Sequence, residues 1–291
     1  MADAGRDEVG GMVLDAWDAF IAEVETVDLD RPARLSGWRA NDIAVHLGCW
    51  DDHTALADLI ASARTGGAGT TPEVDAVNAR VVAAHRNAPR DDVLGALRRN
   101  RDATARYLKE EPVELDTAPT VSVVGRLPLL SVVLGQAYEL AVHGLDLVSC
   151  GAEPPPPSVL QSGLAALVDV TGALAASCDI TGGVTLATPE VGWAFAADDD
   201  GWTVRQVPAG EVSGPAVEAS ATLLLEAASG RINPVPAAAT RRLKVHDVPG
   251  LLLLAPIVQK VPGIPGGPIL QLAARTMGGA GGMLGRLLRR G

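Results

Sequence analysis

Residues 129–147, LLSVVLGQAYELAVHGLDL, form an almost wholly apolar run that carries Glu139 and His143 four residues apart. On a helix, positions i and i+4 stand one above the other on a single face. A carboxylate and an imidazole at that spacing can grip one metal ion from one side. A Glu inside an apolar helix is costly unless it is paired or metal-bound, so the run predicts a buried carboxylate with a partner. The pair needs a further ligand. The best candidate is His46, far upstream in WRANDIAVHLGCW (residues 38–50).

His46 sits in a second helical pattern, predicted over about 39–64, in which Ile43, Leu47, Trp50 and Ala57 recur at helical spacing as a core-facing stripe. With Ile43 three residues before it and Trp50 four after, His46 is expected to point into the same interior. Asp42, in the first turn, suits the helix dipole. His53 lies seven residues beyond His46, about 10 Å along the axis. That is too far to share an ion, so it reads as surface or channel-lining. His85 and His246 have no partner legible in the sequence. Asp146, three residues after His143, either holds the outer nitrogen of that imidazole or is a solvated residue near the helix end, and spacing does not decide between them. Cys49 reads as a buried inert thiol.

The pattern W-x-x-x-D-x-x-x-H-L-x-x-W on an early helix, then E-L-x-V-H-x-x-D-L on a later one, resembles the N-terminal domain of mycothiol-dependent maleylpyruvate isomerases. Those are members of the DinB/YfiT-like superfamily of metal-binding helical bundles. The matching residues are Trp38, Asp42, His46, Leu47 and Trp50, then Glu139, Leu140, Val142, His143, Asp146 and Leu147. The resemblance implies that His46, Glu139 and His143 hold a divalent metal, usually zinc. Leu145 is a departure, because the family pattern leads one to expect Trp there; it should not touch the ligands. Taken alone, a His on an apolar helix is more often a core histidine than a ligand, and E-x-x-x-H arises often by chance. The conjunction with the family's surrounding residues makes this a site.

Three protein ligands leave a fourth position open, the layout of a catalytic rather than a structural zinc. An open zinc can bind a thiol and deprotonate it. The resemblance implies chemistry of that kind, with mycothiol or a similar low-molecular-weight thiol as cofactor. The thiolate adds to the cis double bond of an unsaturated dicarboxylic acid, the new single bond rotates, and the thiol leaves to give the trans isomer. An anionic substrate calls for an arginine fork. Arg80 and Arg86 are the candidates, and Arg80 is preferred as the catalytic residue because the family carries an essential arginine in this region. A solvated helix face is the competing reading for both.

Composition bounds the rest. The chain has 291 residues, long enough for two domains. With 47% hydrophobic residues but only 3% aromatic, its core must be built mainly from Ala, Val and Leu. A formal net charge of −11 argues against a nucleic-acid partner. Three Cys, none in a C-x-x-C pair, form neither a disulfide framework nor a zinc finger. The polar, acidic start MADAGRDEVGG does not read as a signal peptide, and no membrane-spanning segment stands apart from the predicted helices. The expectation is a cytoplasmic protein of a reducing compartment.

In order, the chain predicts an up-and-down helical bundle over 1–150. Its helices run over 7–26, 39–64, 72–87 and from Asp91 to Pro112; a loop then leads to about Gly125 and the Glu139–His143 helix. Leu94, Leu97, Ala105 and Leu108 are expected inward on the fourth. CGAEPPPP (150–157) is the clearest linker. Beyond it, a helix over 158–178 precedes short alternating strands, GVTLAT, VGWAFAAD and GWTVRQV, with Trp193 and Phe195 on one face. VEASATLLLEAASGRI then reads as a strand passing into a helix that ends at Gly230. This order over 158–248 resembles the small α+β sterol-carrier-protein-like domain that follows the bundle in the same family. Within residues 249–291, LLLLAPIVQKV is expected to be a helix packed on the second domain. The Gly-rich, basic end reads as a loosely ordered tail, or as an amphipathic segment that meets a partner or an acidic membrane surface.

Three functions fit, in this order: a metal- and thiol-dependent isomerase or thiol transferase acting on a small molecule; a binding protein that holds an apolar ligand in the second domain; and an interaction protein with an inert bundle and a recruiting tail.

Overall fold

The structure, a computed structural model, describes residues 5–51, 55–71 and 74–260. It divides into two compact units, Ala4–Ala166 and Leu167 onward. The first is helical and the second holds a small sheet, as expected.

The first unit contains α1 (Arg6–Thr26), α2 (Ala40–Leu47), α3 (Ala55–Arg64), α4 (Val74–His85), α5 (Arg90–Glu110) and α6 (Leu129–Val148). A short antiparallel hairpin, β1 (Pro119–Ser122) and β2 (Gly125–Pro128), precedes α6. α1 packs on α5 and α6 because Val9, Val13, Trp17, Phe20 and Val24 bury one stripe at three- and four-residue steps. Gln136 of α6 fixes the rotation of the three helices. Its carbonyl oxygen accepts from Trp17 Nε1 at 2.8 Å and from Thr104 Oγ1 of α5 at 3.0 Å.

The helix predicted over 39–64 is two helices. α2 stops at Leu47, Gly48 is extended, and Asp51 adopts a left-handed φ of 54°. Gly is a poor helix former, and the break resets the register: Leu56 is buried while Ala57 is exposed. The stripe Ile43–Leu47–Trp50–Ala57 therefore does not continue. His53 and Pro72 lie outside the described residues. On α5, Val93, Leu94, Ala96, Leu97, Thr104 and Tyr107 are buried, whereas Ala105 is half-buried. Thr104 is admitted to the core because its hydroxyl is paired. The hairpin went unread because its strands are four residues long and begin with Pro or Gly. It is anchored on α3, where Thr120 Oγ1 donates to Leu59 O at 2.7 Å.

From Val148 the chain passes the proline run and enters α7 (Pro157–Ser177), and the division between units falls inside that helix. By length and composition α7 could cross a membrane, yet 72% of its apolar window is buried within the protein, as in a core helix.

The second unit holds β3 (Gly182–Ala187), β4 (Gly192–Asp198), β5 (Gly201–Val207), β6 (Ala216–Glu218), α8 (Ala221–Ala228), α9 (Pro234–Ala239), β7 (Lys244–His246), α10 (Val248–Leu252) and α11 (Ala255–Lys260). The sheet order is β5-β4-β3-β6-β7, antiparallel except for β3 beside β6. Val184, Phe195 and Val204 are in register, which places Phe195 and Trp193 on one buried face. α7 packs there through Gly172, and Trp202 Nε1 donates to the buried Asp169 Oδ1 at 2.9 Å. Ser220 caps α8, and Gly230 follows it at φ 71°. The single helix expected over LLLLAPIVQKV is, as far as Lys260, the end of α10 followed by α11, with Leu251, Leu254 and Ile257 buried. Residues 261–291 lie outside the described residues, and with them the tail.

Candidate metal centre

α2 presents one donor and α6 two. The start of α2 is capped by Asp42, which is wholly buried: its Oδ2 accepts from the Arg39 backbone N at 2.8 Å and from Arg86, just past the end of α4, at 3.0 Å.

One ligand atom each from His46, Glu139 and His143 lie within 4.8 Å of one another. The two imidazoles meet edge to face, 5.2 Å between centroids, and Trp38 stands edge-on to His46 at 5.7 Å. His143 Nε2 is 3.6 Å from Glu139 Oε2. Donors at about 2.0–2.2 Å from one tetrahedral ion stand roughly 3.4 Å apart, so the Glu139–His143 pair fits a shared cation. On the far side of the ring, His143 Nδ1 is 3.0 Å from Asp146 Oδ2. This engages Nδ1 with the carboxylate and leaves Nε2 facing Glu139 and His46. Asp146 is fully buried and accepts from Arg34 Nε at 2.6 Å through its other oxygen.

His143 is buried and His46 half-buried, but the Glu139 side chain is 52% exposed. The expectation of a buried carboxylate is corrected: Glu139 stands at the rim of α6, where water solvates it, and this side of the cluster opens to solvent.

Arg80 is exposed on α4, its Nε donating to Ala76 O of its own helix at 3.4 Å. Arg86 is engaged with Asp42 of α2 and with Gly37 O, so it ties the turn after α4 to the start of α2. His85, without a legible partner in the sequence, stacks on Trp50 at 4.0 Å, and His246 pairs with Glu218 at 3.1 Å. Cys49 is buried. Sequence reading missed Arg34 altogether. It lies 112 residues from Asp146 in an irregular connector, shaped by the Pro32–Arg39 bridge and the Ala33 N to Trp38 O bond, and no periodic signal marks it.

Fold and site together define a helical bundle that presents a two-histidine, one-carboxylate donor set from two of its helices. The family model described as the mycothiol maleylpyruvate isomerase N-terminal domain matches residues 12–148 of the chain. The crystal structure of the mycothiol-dependent maleylpyruvate isomerase is similar to this chain with a TM-score of 0.51 at 16% identity, covering 79% of this chain and 91% of that one. That likeness is one of fold, and it reaches past the family match into the sheet-containing unit. The structure of a histidine-to-alanine mutant of that enzyme gives a TM-score of 0.48 at 16% identity, with the same coverage. No curated protein matches the chain.

Proposed function

We propose that this protein is a metal- and low-molecular-weight-thiol-dependent enzyme of the maleylpyruvate isomerase kind, a cis-trans isomerase or thiol S-transferase acting on a small unsaturated acid or electrophile. The observation that carries the reading is the convergence of His46, Glu139 and His143, with the free nitrogen of His143 selected by Asp146. These three residues would hold the ion; the donor set suits zinc and accepts nickel, cobalt or iron. A bound divalent ion supplies a Lewis acid that lowers the pKa of an incoming thiol such as mycothiol.

The chain's own residues do the rest. Asp146 keeps His143 in one tautomer and orientation, and Arg34 neutralises Asp146 from behind. Solvent exposure at Glu139 gives a small thiol and its substrate a way in. Arg80 is proposed to hold a substrate carboxylate in a bidentate fork. The thiolate would add to the cis double bond, rotation about the resulting single bond would follow, and loss of the unchanged thiol would leave the trans acid. The sheet-containing unit, with its strand-and-helix order, is proposed to be sterol-carrier-like.

Elemental analysis of untagged protein tests this directly. About one zinc per chain in the wild type, lost in His46→Ala and His143→Ala together with thiol-dependent turnover of an unsaturated diacid, is the expected result. Normal turnover in His143→Ala would remove the mechanism.

A further inference from the structure

We infer that Asn100, with Arg99 and the carbonyl of Ala96, forms a latch on α5 that fixes where α2 ends and thereby positions His46; this rests on the metal reading above. His46 is the penultimate residue of an eight-residue helix. So short a helix has no stability of its own, and its last carbonyls lack partners within the helix. α5 supplies them at the helix end and along the segment that leaves it. Asn100 Nδ2 donates to Leu47 O at 2.8 Å, Arg99 Nη2 donates to Cys49 O at 3.0 Å, and Ala96 O accepts from Cys49 N at 2.9 Å. Ala96, Arg99 and Asn100 stand at i, i+3 and i+4, one face of α5.

The approach is close. A Cβ at Gly48 would lie 2.9 Å from Ala96 Cβ and 2.9 Å from Trp50 Nε1. That indole N–H donates back to Val45 O at 2.9 Å, closing the turn around His46. Two of the three donors thus come from one long helix, α6, whose course is set by the core. The third stands on a two-turn helix whose C-terminal end is held from α5. The angle at which His46 meets Glu139 and His143 depends on this latch, and Asn100 is its polar anchor on α2. Asn100 is a positioning residue: it touches the backbone of the residue after His46 and acts on the site only through it.

The test is cobalt(II) titration of metal-depleted full-length protein, read by visible ligand-field absorption, with thermal melts of the metal-free forms. The variants are Asn100→Ala and the isosteric Asn100→Asp, which removes the donor but keeps the volume. Arg101→Ala, one residue on and paired with Asp18, is the control. The expected result is a loss of cobalt affinity of about tenfold or more in both Asn100 variants, with shifted absorption bands, while Arg101→Ala matches the wild type. Should Asn100→Ala fail to fold, Asn100→Asp decides alone. Wild-type affinity and spectrum in the Asn100 variants, even with a lowered metal-free melting temperature, would overturn the inference and leave the metal site standing. No cobalt uptake by the wild type would overturn the metal reading itself, and the latch with it.

Discussion

His143 and Asp146 face each other across 3.0 Å on the last turns of α6, and neither has appreciable contact with water. A carboxylate this deeply buried is stable only with charge-assisted partners, and Arg34 provides one at 2.6 Å. The pair commits one nitrogen of the imidazole to the protein and leaves the other facing Glu139 and His46. Asp146→Ala should therefore lower divalent-metal affinity by roughly 10–100-fold while the helical content measured by circular dichroism is retained. Unchanged affinity in equilibrium dialysis would mean that the pair is only structural.

Arg80 lies on α4 and Arg86 just past its C-terminal end, and their surroundings differ. Arg86 holds the buried Asp42, although its own side chain is 46% exposed. After discounting for that exposure, Arg86→Ala should destabilise by about 1–2 kcal/mol. Arg80→Ala should stay within about 0.5 kcal/mol of wild type and raise KM for a dicarboxylate substrate. Denaturant melts and steady-state kinetics on both variants separate the two roles; a KM effect confined to Arg86→Ala would reassign the carboxylate-binding role.

Glu23 of α1 packs its carboxyl against Gly144, where a Cβ would lie 2.9 Å from Oε2, and beside Pro155. Burial without a hydrogen-bond partner at Oε2 pushes its pKa from 4.5 up to about 8. The native state then binds more protons than the unfolded chain between those values, so stability present below about pH 4.5 is lost as pH rises through about 8. The loss is on the order of a few kcal/mol. Glu23→Gln should flatten this dependence, leaving the variant more stable than wild type at pH 9. Parallel pH dependences in urea melts of the two proteins would refute the assignment.

Gly172 marks the place where α7 rests on the sheet. A Cβ there would stand 2.7 Å from Trp202 Cδ1 and 3.1 Å from Phe195 Cβ. Gly172→Ala should gain helix propensity but lose more through overpacking, a net cost of about 1–3 kcal/mol, visible as a lowered melting temperature. A rise in melting temperature would show that the indole moves aside freely.

Much of this protein was legible in its residue order. The apolar periodicity of α1, α5 and α6, the alternation in β4 and β5, and the i,i+4 spacing of Glu139 and His143 are local consequences of helix and strand geometry. The family motifs supplied His46. What the sequence could not determine depends on contacts between distant segments. The break after Leu47 depends on the close approach of α5 to Gly48. The exposure of Glu139 depends on which side of α6 the neighbouring helices leave uncovered, and periodicity alone suggested burial. Asp146 was undecided until Arg34, 112 residues away in an irregular connector, was brought against it. Local pattern determined which elements form and which side chains could serve as donors. Only the packing of those elements decided which donors converge, because burial and pairing are properties of the assembled neighbourhood rather than of any single stretch.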